Sequence, residues 1–361
     1  MGGLEGVVAA ETVLSDVDGL AGRLVIRGHE LGELAGRWRF EEVVRLLLGG
    51  MFEDLPGAEE LAARLGRARA AAFGQVGALP GLRLADPVER LRALMARLPD
   101  GDDLDTALAL IAAPAVFTAA IARADAGEAP LAPDPALGHA ADALRMLKGA
   151  VPTEAQARAL DAYLVTIVDH GLNASTFAAR VTASTLAGLA SAVISGLSAL
   201  KGPLHGGAPG PVIAMLDDIG APDGAEAWLE AALDRGDRLM GFGHRIYKVR
   251  DPRADALKAA VQVLAKGSSE LPGRLALAES VEAAAVRILA RRKPGRALNT
   301  NVEFYTAILL EALGFPPSAF TCVFAMGRTA GWIAHAREQV LSGRLIRPQS
   351  RYIGPEPKAA A

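Results

Sequence analysis

Two of the six histidines in this chain sit on nearly bare backbone. His244 lies in Gly241-Phe242-Gly243-His244-Arg245-Ile246-Tyr247-Lys248-Val249-Arg250-Asp251-Pro252-Arg253, so Arg253 follows nine positions later, after an Asp-Pro turn. His205 lies in Gly202-Pro203-Leu204-His205-Gly206-Gly207. Glycine at Gly241 and Gly243 allows close approach of the backbone to a ligand. Imidazoles in such settings, with a permanently charged guanidinium close in sequence, suit a small polyanion whose carbonyl must be polarised. They suit a packed core poorly.

Other candidates carry an ordinary reading beside the chemical one. His170, in Asp169-His170-Gly171-Leu172-Asn173, stands where a helix ends, and a helix C-terminus favours histidine through its dipole. Glu303 follows Asn299-Thr300-Asn301-Val302, and Thr300-x-x-Glu303 has the spacing of a capping box, which by itself favours a cap. Arg328, in Met326-Gly327-Arg328-Thr329-Ala330-Gly331-Trp332, and Arg347, in Leu345-Ile346-Arg347-Pro348, belong to a residue type that is usually a solvated surface group. His29, His139 and His335 read as structural. The glycine runs lack the Gly-Lys-Ser/Thr of a phosphate loop and the third glycine of a dinucleotide fingerprint. His205-Gly206-Gly207 resembles an esterase oxyanion loop, but no Gly-x-Ser-x-Gly elbow supplies a nucleophile. No His-x-x-x-His or Cys/His cluster offers metal ligands.

The elements that must position these residues read almost entirely as helix. Leu160, Leu164, Ile167 and Val168 share a face at helical spacing after Pro152-Thr153. Phe177 to Leu200, rich in Ala, Ser and Gly, reads as a central buried helix pair, because small residues let backbones approach. Further helices are expected at 225–233, 254–265, 277–290, 302–313 and 320–341, with Gly314, Pro316 and Pro317 stopping the fourth of these. Pro130, Pro133 and Pro135 mark a loop at 129–136. Strand signals are confined to 7–27, around a turn at Asp16-Val17-Asp18-Gly19, and to 344–348, a short strand or extended arm. The expected class is all-α with minor β at the termini.

Composition narrows the context. The 361 residues allow about two domains, or one large core with an appendage. Half are hydrophobic, so a sizeable core can form. The net charge of −3, without a long basic run, argues against nucleic acid. The most apolar stretch, 187–200, is too short to span a bilayer, so no membrane is expected. The lone Cys322 favours a reducing compartment, and no secretory leader pattern appears at the start. The expectation is a cytoplasmic protein.

Taken together, Gly202 to Ala208, Gly241 to Arg253, Asn301-Val302-Glu303-Phe304-Tyr305, Arg328-Thr329-Ala330-Gly331-Trp332 and Leu345-Ile346-Arg347-Pro348 resemble the citrate synthase family in order and spacing. Gly3 to Val8 and Leu24-Val25-Ile26-Arg27-Gly28 resemble its short bacterial and archaeal branch. The resemblance covers nearly the whole chain. It implies a mostly helical homodimer with a shared active site. A large domain of 1–207 and 311–361 would carry a small domain, 208–310, that closes over substrate. The implied reaction condenses oxaloacetate with acetyl-CoA to citrate and CoA, with acyl-CoA as substrate and no metal or redox cofactor. By position, His205 would meet the thioester carbonyl, His244 the ketone, and Glu303 would be the base. His170, Arg253, Arg328 and Arg347 would bind oxaloacetate, Arg347 from the partner subunit. Lys248, Gly241, Phe242 and Gly243 would meet CoA.

Two residues depart from the family pattern. Its usual base is Asp, and the extra methylene of Glu303 moves the carboxylate by roughly 1.5 Å. That requires a compensating backbone shift or alters the rate. Pro209 stands where the family often has Asn. The alternative within the class is 2-methylcitrate synthase acting on propionyl-CoA, since one methyl group is worth only about 1–3 kcal/mol in a pocket. The alternative outside it is a non-catalytic ligand-sensing or scaffold dimer, which only Glu303 favours.

Overall fold

The computed structural model describes residues 3–4, 6–205 and 210–355. Gly206, Gly207, Ala208 and Pro209, which the sequence reading singled out, lie outside the described residues. Three short antiparallel strands open the chain: β1 (Ser15–Asp18), β2 (Arg23–Ile26) and β3 (His29–Glu30), in that order. The turn falls later than the sequence suggested. Asp16 to Asp18 stay in β1, paired as Asp16↔Val25 to Asp18↔Arg23. Asp18 Oδ1 then accepts the N–H groups of Leu20 and Ala21, both at 2.9 Å, which closes the turn at 19–22.

Fifteen helices follow among the described residues: α1 (Leu31–Leu34), α2 (Phe40–Leu48), α3 (Ala58–Phe73), α4 (Pro87–Met95), α5 (Leu104–Asp125), α6 (His139–Lys148), α7 (Glu154–Ile167), α8 (Ala174–Ala183), α9 (Leu189–Leu200), α10 (Gly210–Ile219), α11 (Ala225–Asp234), α12 (Pro252–Ala265), α13 (Leu271–Arg292), α14 (Val302–Ala312) and α15 (Phe320–Ser342). The expected helices are all present within a few residues. The helix stop after 313 is real: Gly314 takes φ +88°, a value a side chain would resist. The proline-marked loop at 129–136 is also irregular.

Of the two forms expected for residues 344–348, the extended arm is the one present, mostly exposed and tied down by Ile346 N–H to Ser184 Oγ at 3.1 Å. Two other expectations need correction. The segment 177–200 does form a helix pair, but many of its residues are only half-buried. The deep apolar helix is instead α5, which is long and apolar enough to cross a membrane by length and composition, yet its apolar window is 83% buried inside the fold. Periodicity does not distinguish a core helix from a membrane span; the packing around it does.

Helix α15 is the other central rod. It packs against α5, α7, α8 and α9. Gly331 sits where a Cβ would run into the backbone carbonyl of Val168, so α15 and the end of α7 touch main chain to main chain. This contact places Arg328, three residues earlier, against the segment that carries His170.

Candidate active site

The start of α14 sets the first part of the site. Asn301, not Thr300, is the N-cap, so the capping box suggested by Thr300-x-x-Glu303 does not form. Asn301 Oδ1 accepts the Glu303 N–H at 3.0 Å, and its amide donates to Gly243 O at 2.8 Å. Thr300 turns away and donates to Glu282 at 2.7 Å. The Glu303 carboxylate is therefore free of capping duty and makes no hydrogen bond to the described residues. Burial pushes it up to about 7, against the pull of Arg253 and Arg328.

The glycine run is spent on holding this arrangement. Gly243 N–H donates to Asn299 O at 2.7 Å, and Gly241 O accepts from Asn301 N–H at 2.9 Å. Both glycines have φ above +80°, and a Cβ on Gly241 would lie 2.8 Å from the Phe304 ring. Their freedom serves contact with α14. These groups, with the buried Phe242, hold the loop that carries His244 against the start of α14.

His244 has a fixed tautomer. Its Nδ1 accepts the N–H groups of Ile246 and Tyr247 at 3.0 and 3.1 Å. A neutral ring must then carry its proton on Nε2. Burial first, then Arg253, lowers it to about 4, so the ring is neutral at pH 7. That Nε2–H stands 3.1 Å from Arg253 Nη2, which is also a donor. Two donors this close call for a shared acceptor, and a ligand oxygen between them would serve. Arg253 is held by a two-point pair to Asp251, at 3.1 and 2.9 Å. Asp251 also accepts from Arg253 N–H at the head of α12 and Val302 N–H at the head of α14. One carboxylate thus fixes two helix starts and, through them, Arg253 and Glu303. Burial works against the Arg253 charge, but Asp251 more than offsets it and raises the guanidinium.

His170 follows the end of α7 and meets the same space. Its ring stands edge-on to His244 with centroids 5.8 Å apart, and Nε2 lies 3.1 Å from Tyr247 Oη. Burial, then Arg253 and Arg328, holds it well below the usual histidine range. Arg328 is 1% exposed and donates from Nε to Ile167 O at 2.6 Å. Its guanidinium has no carboxylate within 4 Å among the described residues. Burial lowers it to about 10, partly countered by Asp169. A buried cation without a paired anion is costly unless a ligand supplies the anion.

His205 completes the set. Its Nε2 lies 2.8 Å from Ser175 Oγ near the start of α8. Trp332 Nε1–H donates to the same oxygen at 3.2 Å, and the Ser175 hydroxyl donates to Asn173 Oδ1 at 2.8 Å. Burial first, then Arg328, lowers His205 to about 4.

The structure therefore brings together His170, His205, His244, Arg253, Arg328 and Glu303. It does not bring Arg347, which is exposed on the C-terminal arm, or Lys248, an exposed side chain whose Nζ donates to Arg245 O at 3.1 Å. His29 lies at the surface beside Glu33 and Trp38, and His139 is buried against Phe40. His335 binds Asp169 and Arg180. Sequence reasoning missed Tyr247, Ser175 and Asp251 as site residues. Tyr247 and Asp251 lie inside the glycine-histidine-arginine run and could have been found there. Ser175 had no signal, because a serine near a helix start reads as a cap.

Known proteins resemble this chain over nearly its whole length. The family model described as citrate synthase, C-terminal domain, matches residues 3–349. A citrate synthase of Haloferax volcanii is 40% identical over 98% of this chain and 95% of the relative. One of Deinococcus radiodurans is 37% identical over 98% and 95%. Among solved structures, citrate synthase from Thermotoga maritima superposes with a TM-score of 0.84 at 34% identity, covering 100% of this chain and 97% of that one. The ternary complex of the Thermoplasma acidophilum citrate synthase with carboxymethyl coenzyme A and oxaloacetate does so with a TM-score of 0.86 at 30% identity, covering 99% and 97%. A match of this extent takes in the whole helical frame and sets the class: an acyltransferase with a mostly helical fold. The chain belongs to the citrate synthase family.

Proposed function

We propose that the protein condenses acetyl-CoA with oxaloacetate and water to give citrate and CoA. The observation that carries this is Arg328, a buried guanidinium with no carboxylate within 4 Å among the described residues, its charge further disfavoured by Arg253. A dicarboxylate keto acid supplies the anion that Arg328 lacks. Its ketone oxygen then meets the Nε2–H of His244.

The other substrate loses a methyl proton to Glu303 as its thioester oxygen becomes an enolate. His205 stabilises that oxygen. Since Nε2 faces Ser175, the free nitrogen is Nδ1, and it donates only if the Ser175 hydroxyl donates to Nε2. In the free enzyme that proton goes to Asn173 Oδ1 at 2.8 Å, with Trp332 Nε1–H on a lone pair, so the hydroxyl must turn to Nε2 when the thioester binds. A preorganised neutral donor of this kind is worth most in a dry site. The enolate carbon then bonds to the ketone carbon, and His244 gives its proton to the ketone oxygen. Water cleaves the resulting thioester and releases CoA.

His170, His205 and Arg328 belong to the proposed large domain (1–207, 311–361), and His244, Arg253 and Glu303 to the proposed small one (208–310). A site divided in this way supports closure over substrate, which excludes water until condensation is complete. We place the protein in the cytoplasm, supported by its single, buried, unpaired thiol Cys322.

Thiol release with oxaloacetate and either acetyl-CoA or propionyl-CoA tests the activity, and a propionyl-CoA preference would replace the citrate assignment by 2-methylcitrate. The same assay gives a pH profile. The base works deprotonated and is raised to about 7, so kcat/KM should fall as pH drops below about 7 and level off above it. The histidines, lowered to about 4, are already neutral there. A profile flat down to pH 5 would remove Glu303 as the base.

We further propose a homodimer in which Arg347 completes the partner's site. Support comes from its place on an exposed arm beyond α15, away from its own site. Mixing Arg347→Ala with His244→Ala subunits should restore activity in hybrid dimers. Verified hybrids as inactive as either parent would show that the site is not shared.

A further inference from the structure

The N-terminal hairpin touches both halves of the site without contributing a ligand-facing group. At one end, Ser15 Oγ donates to Asp169 Oδ2 at 2.6 Å and accepts Gly171 N–H at 2.9 Å. These residues flank His170 on either side. Asp169 is buried and also bonded to His335 Nε2 at 3.1 Å, while His335 Nδ1 faces Arg180 Nη1 at 2.8 Å. Nδ1 accepts from the arginine, so Nε2–H donates to Asp169 and the chain of bonds has a single consistent direction. At the other end, Gly19 O accepts Lys248 N–H at 2.8 Å. A Cβ on Gly19 would run into the Ile246 carbonyl, and one on Gly22 would lie 2.7 Å from the Val249 side chain. Ile246 and Tyr247 are the residues whose N–H groups fix the tautomer of His244.

We infer that this hairpin is a strap that sets the distance and orientation of His170 relative to His244, with Ser15 and Gly19 as positioning residues for the keto acid. The inference rests on the proposed roles of the two histidines toward oxaloacetate. The two-stranded ribbon is short and cross-paired from Ser15↔Ile26 to Asp18↔Arg23, so a displacement at one end is passed to the other. Only the hairpin among the described strands contacts both loops. A misplacement of about 1 Å in such a site costs up to about 100-fold.

The test compares Ser15→Ala, Ser15→Thr and Gly19→Ala with Gly32→Ala, where an added Cβ meets nothing within 4 Å. Oxaloacetate KM should rise about tenfold in Ser15→Ala and Gly19→Ala, with acyl-CoA KM and melting temperature close to the Gly32→Ala control. Ser15→Thr, which keeps the hydroxyl, should recover most of the loss. Hydrogen exchange gives a readout without turnover. Ser15→Ala should speed exchange at the far end, Ile246 to Lys248, and Gly19→Ala should speed it at Gly171. Exchange changes confined to the mutated end, or an oxaloacetate KM equal to the control, would overturn the strap. Should the wild-type enzyme release no thiol with either acyl-CoA, the condensation reading fails, and the strap stands or falls on the exchange data alone.

Discussion

Glu303→Gln should lower kcat by about 10²- to 10⁴-fold, the usual worth of a positioned base, while the protein keeps its native melting temperature and still binds oxaloacetate. The stability half of this expectation comes from the structure. Helix α14 is capped by Asn301, so no capping bond depends on Glu303. The variant also removes a carboxylate that burial disfavours in its charged form. Asn301→Ala should behave in the opposite sense for stability, losing about 0.5–2 kcal/mol as a cap is removed. Exchange of acetyl-CoA methyl protons with solvent, promoted by a non-reacting oxaloacetate analogue, should vanish in Glu303→Gln. If exchange and turnover persist in the folded variant, the base lies elsewhere and the catalytic assignment fails at its central residue.

Arg328→Met should abolish useful binding of oxaloacetate without harming the fold. Removing one member of a desolvated charge pair costs about 2–5 kcal/mol of binding, or roughly 30- to 5,000-fold. In the free enzyme, however, the guanidinium has no carboxylate within ion-pair distance among the described residues. Its replacement by an apolar chain of similar length relieves a buried charge. The melting temperature should therefore equal or exceed that of the wild type. Oxaloacetate should raise the melting temperature of the wild type and leave that of Arg328→Met unchanged, since a ligand stabilises only the state that binds it. A variant that melts well below the wild type would show that Arg328 is there to hold Ile167 O, the one hydrogen-bond acceptor it has among the described residues.

Part of this protein could be read in its residues alone. Helical periodicity placed α7 and α11 to α15 to within a few residues, because an amphipathic face and a glycine-proline stop are local properties. The run 241–253 identified His244 and Arg253, because local backbone freedom and a nearby guanidinium are also written in sequence. Other points depended on tertiary structure. Whether Glu303 is a cap or a base turned on where the Asn301 side chain goes, and that is decided by Gly243 O, fifty-eight positions away. Arg328 looked like any surface arginine until the Gly331 contact with Val168 buried it against α7. The depth of α5, the half-buried faces of α8 and α9, and the choice of arm over strand at 344–348 were likewise fixed by what packs alongside them. Composition and spacing decide which groups are available and which local conformations they favour. Only the packed chain decides which carboxylate lacks a proton donor and which arginine lacks an anion, because those depend on the neighbours that burial brings together.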